Sequence, residues 1–118
     1  MTVAYDERLA ARIHDVLVGE AGLTEQKMFG GVGYMLHGNV CVGIWHDELI
    51  ARIGIDAAER ALREDGVREF DITGRAMRGW VLVAPERLRG RGLRAWIERA
   101  MTFTRSLPEK GTGHGTPL

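Results

Sequence analysis

The chain has 118 residues, which suits one domain able to bury a core without metal or disulfide staples. Charged side chains make up 27% of it, yet the formal net charge is zero, so no global field draws it to nucleic acid or an anionic membrane. A single cysteine excludes an internal disulfide framework, the start MTVAYDERLAARIHDVL is too charged for a signal peptide, and no apolar run approaches the roughly 20 residues of a membrane span, so a reducing, cytoplasmic setting is expected.

Residues 6–19 predict the first helix. Leu9, Ile13, Val16 and Leu17 recur at helical spacing, Asp6 is a suitable N-cap, and Gly19 a stop. The stretch MFGGVGYMLHGNVCVGIWHDELIARI, residues 28–53, reads as three consecutive antiparallel strands. Val32, Tyr34 and Leu36 share one face of the first, with Met35 and His37 on the other. Gly38-Asn39 suits a two-residue type II′ turn. In the second strand, 40–46, Val40, Val42 and Ile44 share a face opposite Cys41, Gly43 and Trp45. A turn near Asp47-Glu48 leads to the third, with Leu49, Ala51 and Ile53 opposite Ile50 and Arg52. The middle strand is apolar on both faces, so a helix, the tail or a second copy of the chain is expected to cover the second face. Gly30, Gly31 and Gly33 precede a strand and lack the Gly-Lys-Ser/Thr of a phosphate loop; they read as a bulge or a close backbone approach.

A second helix is predicted over 56–65, with Asp56 and Glu59 forming a capping box and Gly66 the stop. Strands follow at Glu69–Thr73 and Trp80–Ala84, joined by the loop GRAMRG. The last helix runs over 93–107, with Leu93, Trp96, Ile97, Ala100, Met101 and Leu107 as its buried stripe, and Pro108 ends it. The fold class is α+β: an antiparallel sheet of about five strands with helices, in the order α-β-β-β-α-β-β-α. One domain spans 1–107, and 108–118 is expected to be a disordered tail.

No catalytic set emerges. His14, His37, His46 and His114 show no metal-ligand spacing, so no metal and no cofactor are expected. Cys41, mid-strand among apolar neighbours, reads as a small buried hydrophobe. Gly90-Arg91-Gly92-Leu93-Arg94-Ala95 fits part of a dinucleotide fingerprint, but no βαβ unit surrounds it. Arg75, Arg78, Arg89, Arg91 and Arg94 form a candidate anion or nucleic-acid patch near the start of the last helix. Trp45 and Trp80 are the candidate anchors of a protein interface.

Lys27-Met28-Phe29-Gly30-Gly31, then Gly33-Tyr34, a hairpin and the turn Trp45-His46-Asp47-Glu48-Leu49, resemble the N-terminal domain of the TfoX/Sxy family. Phe70-Asp71, Met77-Arg78-Gly79-Trp80 and Ala84-Pro85-Glu86 continue the likeness, which covers about residues 6–107. The resemblance implies an α-β3-α-β2-α fold similar to type III secretion chaperones and an association with natural competence and its gene regulation. It supplies no catalytic residues. Together these features predict a non-enzymatic regulatory or protein-interaction domain, a homodimer with a further protein partner. The alternatives are a nucleic-acid accessory using the arginine patch, and a small-molecule binder with a pocket between sheet and last helix.

Overall fold

A chain of antiparallel hairpins organises the molecule. The computed structural model describes residues 5–72, 74–110 and 115–118. In order, the elements are α1 (Glu7–Leu17), β1 (Leu23–Met28), β2 (Gly31–Leu36), β3 (Asn39–Trp45), β4 (Glu48–Arg52), α2 (Ile55–Ala61), β5 (Val67–Glu69), β6 (Trp80–Val83), a 3-10 turn (Pro85–Arg87), α3 (Gly92–Arg105) and β7 (Thr116–Pro117). The strands form one sheet in the order β5-β6-β4-β3-β2-β1-β7, and every strand pair in it is antiparallel. The α+β class is as expected, with two strands more than the sequence indicated among the described residues. No described helix is long and apolar enough to cross a membrane.

One face of the sheet is the main core. Tyr34, Val42, Ala51 and Val81 stand in one cross-strand row, and Val32, Ile44, Leu49 and Val83 in the next. Over them lie α1, through Leu9, Ile13 and Leu17, and α3, through Leu93, Trp96, Ile97, Ala100 and Met101. Asp6 caps α1 as expected, its Oδ1 accepting from the backbone N–H groups of Arg8 and Leu9. The stripe of α3 also agrees, except at its end. Leu107 lies beyond the helix, and buried Thr104 satisfies its hydroxyl by donating to the Ala100 carbonyl at 2.6 Å. Burial holds the Tyr34 phenol well above its ordinary pKa, with the Glu25 and Tyr5 charges adding to the effect.

Four local expectations are corrected. The turn between β2 and β3 is His37-Gly38, not Gly38-Asn39, and both residues have positive φ (50° and 85°), the signature of a type I′ turn. The strand phase breaks at Cys41: Tyr34 pairs with Val42 but Met35 with Val40, so Cys41 is the extra residue of a bulge. That bulge turns Cys41 into the helix-side core beside Val42, and burial there pushes its thiol pKa up to about 11. The α2 helix starts after Gly54, which makes no side-chain cap, so Asp56 sits inside its first turn and no capping box forms. Finally, β5 ends at Glu69, so Phe70 and Ile72 belong to the following loop; Thr73 lies outside the described residues.

Described residues within the region expected as a tail touch the sheet. Asn39 Nδ2 donates to the Pro108 carbonyl, Lys110 N to the His37 carbonyl, and Thr116-Pro117 pair with β1. His114 lies outside the described residues.

Candidate interaction surface

The second face of the sheet is floored by glycines. Gly33 and Gly43 stand opposite each other on β2 and β3, next in row to Ile50 and Leu82. A Cβ on Gly31 would run into the Ile44 carbonyl, so there the expected close backbone approach holds, whereas a Cβ on Gly33 would meet the Met28 thioether. Two irregular segments fold onto this floor. The β1–β2 turn, Phe29-Gly30, takes positive φ at both residues (56° and 73°) and carries the Phe29 ring inward. The β5–β6 loop brings Phe70, Ile72 and Met77, and is braced by Met77 N donating to the Phe70 carbonyl at 3.0 Å.

The result is an aromatic cluster. Phe29 meets Phe70 edge-on at 5.2 Å and Trp80 at 6.4 Å, and Phe70 stacks on Trp80 at 5.5 Å. Phe70, Ile50 and Leu82 are fully buried, whereas Phe29, Trp45, Ile72, Met77 and Trp80 are only half-buried around them. The cover of this face is therefore supplied in part by the chain's own loop and turn, and not by the helix, tail or second copy that was expected.

Both candidate tryptophans sit on this one cluster, but with different surroundings. The Arg68 guanidinium lies 5.5 Å from the Trp45 ring centre and is itself fixed by Glu48, Nη2 to Oε1 at 2.6 Å. Trp80 has Arg52 at 5.2 Å, and it also opens onto a cavity of about 290 Å³ between α2 and the β5–β6 loop. Ile55, Ala58, Leu62, Met77 and Trp80 make that cavity apolar, and an exposed Glu59–Arg78 ion pair at 3.1 Å marks its rim. Ile55 is 45% exposed, one of two large hydrophobic side chains so open among the described residues.

A larger, open groove of about 850 Å³ runs between α2 and α3. Its charges cancel: Arg60 and Arg99 face Glu64 and Glu98, and small residues such as Ala57, Ala61 and Ala95 line its floor. The Arg87 hydrogen bond, with Arg99 beside it, holds the Glu64 carboxyl below the usual carboxylate range. Nothing in the groove converges on one kind of ligand, so the smaller apolar cavity is the stronger binding feature.

In the arginine patch, Arg75 and Arg78 precede β6, and Arg89, Arg91 and Arg94 follow it. Arg78 is paired with Glu59. Arg89, Arg91 and Arg94 are exposed together at the start of α3. Among the described residues no cluster of three His, Cys, Asp or Glu side chains is placed to hold a metal. Sequence reasoning missed Phe29, Ile55 and Met77. Phe29 could have been found only from the hairpin register, and the other two only from the tertiary packing of α2 on the loop.

Residues 15–104 match the family model of the TfoX N-terminal domain. The chain belongs to the TfoX N-terminal domain family. No curated protein and no solved structure matches it. The TfoX_N match runs from within α1 to the end of α3 and therefore contains the whole aromatic cluster and its cavity, while β7 lies outside it. The family is not a known family of enzymes.

Proposed function

We propose that this TfoX N-terminal domain is a small, non-enzymatic regulatory module that works by protein–protein contact in the cytoplasm. It self-associates and offers the Trp80 surface to a further protein partner. The observation that carries this reading is the half-buried Trp80. One side of it is stacked on Phe70, and it borders an apolar cavity sized for a single large hydrophobic side chain. Rigid aromatic anchors beside an apolar pocket with a charged rim are the features that concentrate binding energy at interfaces. The membership in a family implicated in competence regulation by resemblance supports a regulatory role.

The test is capture of partners by the wild-type domain and by Met77→Glu. That substitution places a charge at the cavity while leaving the helix-side core intact. The expected result is a bound polypeptide that the variant loses, with an unchanged melting temperature. A small molecule that raises the melting temperature of the wild type and not of the variant would instead make the cavity a ligand site and overturn the reading.

A further inference from the structure

The two edges of the sheet are unequal. At one edge, β5 is three residues long, and its central Arg68 is tied to Glu48. Short, charged edges of this kind resist further pairing. Toward the other edge, where only the two-residue β7 lies beyond it, β1 is six residues long and fully laddered to β2, from Leu23–Leu36 to Met28–Gly31. On its outer side the described residues supply only Pro117 and Thr116, opposite Thr24 and Glu25. Proline brings no N–H to that ladder, and no described strand lies outside Gln26, Lys27 and Met28.

The sequence of this edge is self-complementary. An antiparallel pairing of two β1 strands centred on Gln26 sets Glu25 of each copy opposite Lys27 of the other. The backbone phase agrees with the charges. Leu118 N donates to the Leu23 carbonyl, so the outward backbone groups of β1 belong to Leu23 and, by alternation, to Glu25 and Lys27. The residues whose charges match are therefore the ones whose N–H and C=O groups are turned outward to bond. Gln26 and Lys27 are exposed already, and Glu25 is half-buried.

We propose that β1 is the self-association strand of this domain, pairing with β1 of a second copy about Gln26, and that residues 115–118 act as a displaceable cover over it. The proposal rests on the self-association proposed above and names its geometry. Among the described residues the cover is held by the two-residue pairing of Thr116-Pro117 with Thr24-Glu25, the Leu118–Leu23 hydrogen bond at 3.3 Å, Leu118 against the core, and Gly115 close to Met35, Glu25 and Thr24. Displacing it extends the sheet across the two copies without disturbing α1 or α3.

The experiment is light scattering with sedimentation on the full chain and its variants, each first checked for fold by circular dichroism. Leu118→Asp, which removes the apolar anchor of the cover, is expected to tighten self-association, as is deletion of residues 115–118. Lys27→Glu places Glu25 against a second acid and is expected to weaken it about tenfold or more. The double variant Glu25→Lys with Lys27→Glu restores the opposite-charge pairs and is expected to recover the wild-type value. A double variant no tighter than Lys27→Glu, or monomers throughout, overturns the paired strand. An unchanged dimer fraction on release of residues 115–118 overturns the cover. A dimer insensitive to Lys27 but broken by Met77→Glu would move self-association to the Trp80 surface and sink the edge pairing while leaving the protein-contact reading standing.

Discussion

One face of the sheet is closed by helices, and the other by a loop and a turn. On the helix side, α1 and α3 lay continuous apolar stripes over two cross-strand rows, and almost every side chain there is buried. On the other side, the β5–β6 loop and the Phe29 turn cover only the centre. Phe70, Ile50 and Leu82 are sealed, and the aromatic rim around them stays half-open. Helices bury a face completely because their side chains project from a rigid cylinder at regular spacing. A loop of irregular backbone shields only the atoms it touches. The first face thus supplies stability, and the second is left with apolar surface available for contact.

This contrast can be tested by comparing substitutions on the two faces. The largest expected effect is on the helix side. Trp96→Ala, at 3% exposure under α3, should cost about 3–5 kcal/mol of unfolding free energy, read from urea denaturation. A loss under about 1 kcal/mol would show that the helix face is not the structural core. On the other side, Met77→Glu is expected to change stability by less than about 1 kcal/mol while abolishing partner capture. A large loss of stability there would erase the distinction between the faces.

The smallest effect concerns Cys41. Its thiol pKa is raised in the fold to about 11 from an ordinary value of 9.0 by burial. The native state therefore keeps the thiol protonated where the unfolded state ionises it. This contribution is fully present below the unfolded value and is lost as pH rises from there through the folded one. Alkylation of native Cys41 at neutral pH should follow global unfolding, and rapid labelling of the folded protein would show that the bulge opens locally.

The helix-side face was the legible one. Leu9, Ile13 and Leu17, and Leu93 to Met101, repeat at helical spacing, and packing obeys that period. β1 escaped notice because Leu23–Met28 reads Leu-Thr-Glu-Gln-Lys-Met: an edge strand with little to bury carries little alternation. The His37 turn was misplaced by one residue because a non-glycine residue takes the left-handed conformation there, and pattern reading assigns that role to glycine. Cys41 was assigned to the wrong face since the bulge sets it on the same side as Val42, while Val42 and Ile44 keep the expected alternation with Gly43 and Trp45. The arginines were grouped by their nearness in sequence, and the four-residue β6 lies between Arg78 and Arg89 along the chain. Of the candidate site, the two tryptophans were readable as large aromatics in strands; the cavity beside Trp80 was not, because α2 and the loop that form it meet only in three dimensions.

The two most exposed large hydrophobic side chains among the described residues permit the most direct test. Ile55, 45% exposed, borders the Trp80 cavity, and Val18, 52% exposed, caps α1. A photo-crosslinking amino acid placed at either position in the cell should trap another polypeptide from position 55 and not from 18, and Met77→Glu should abolish the crosslink. Equal trapping from both positions, or none from 55, would contradict the proposal that this domain meets a protein partner through the Trp80 surface.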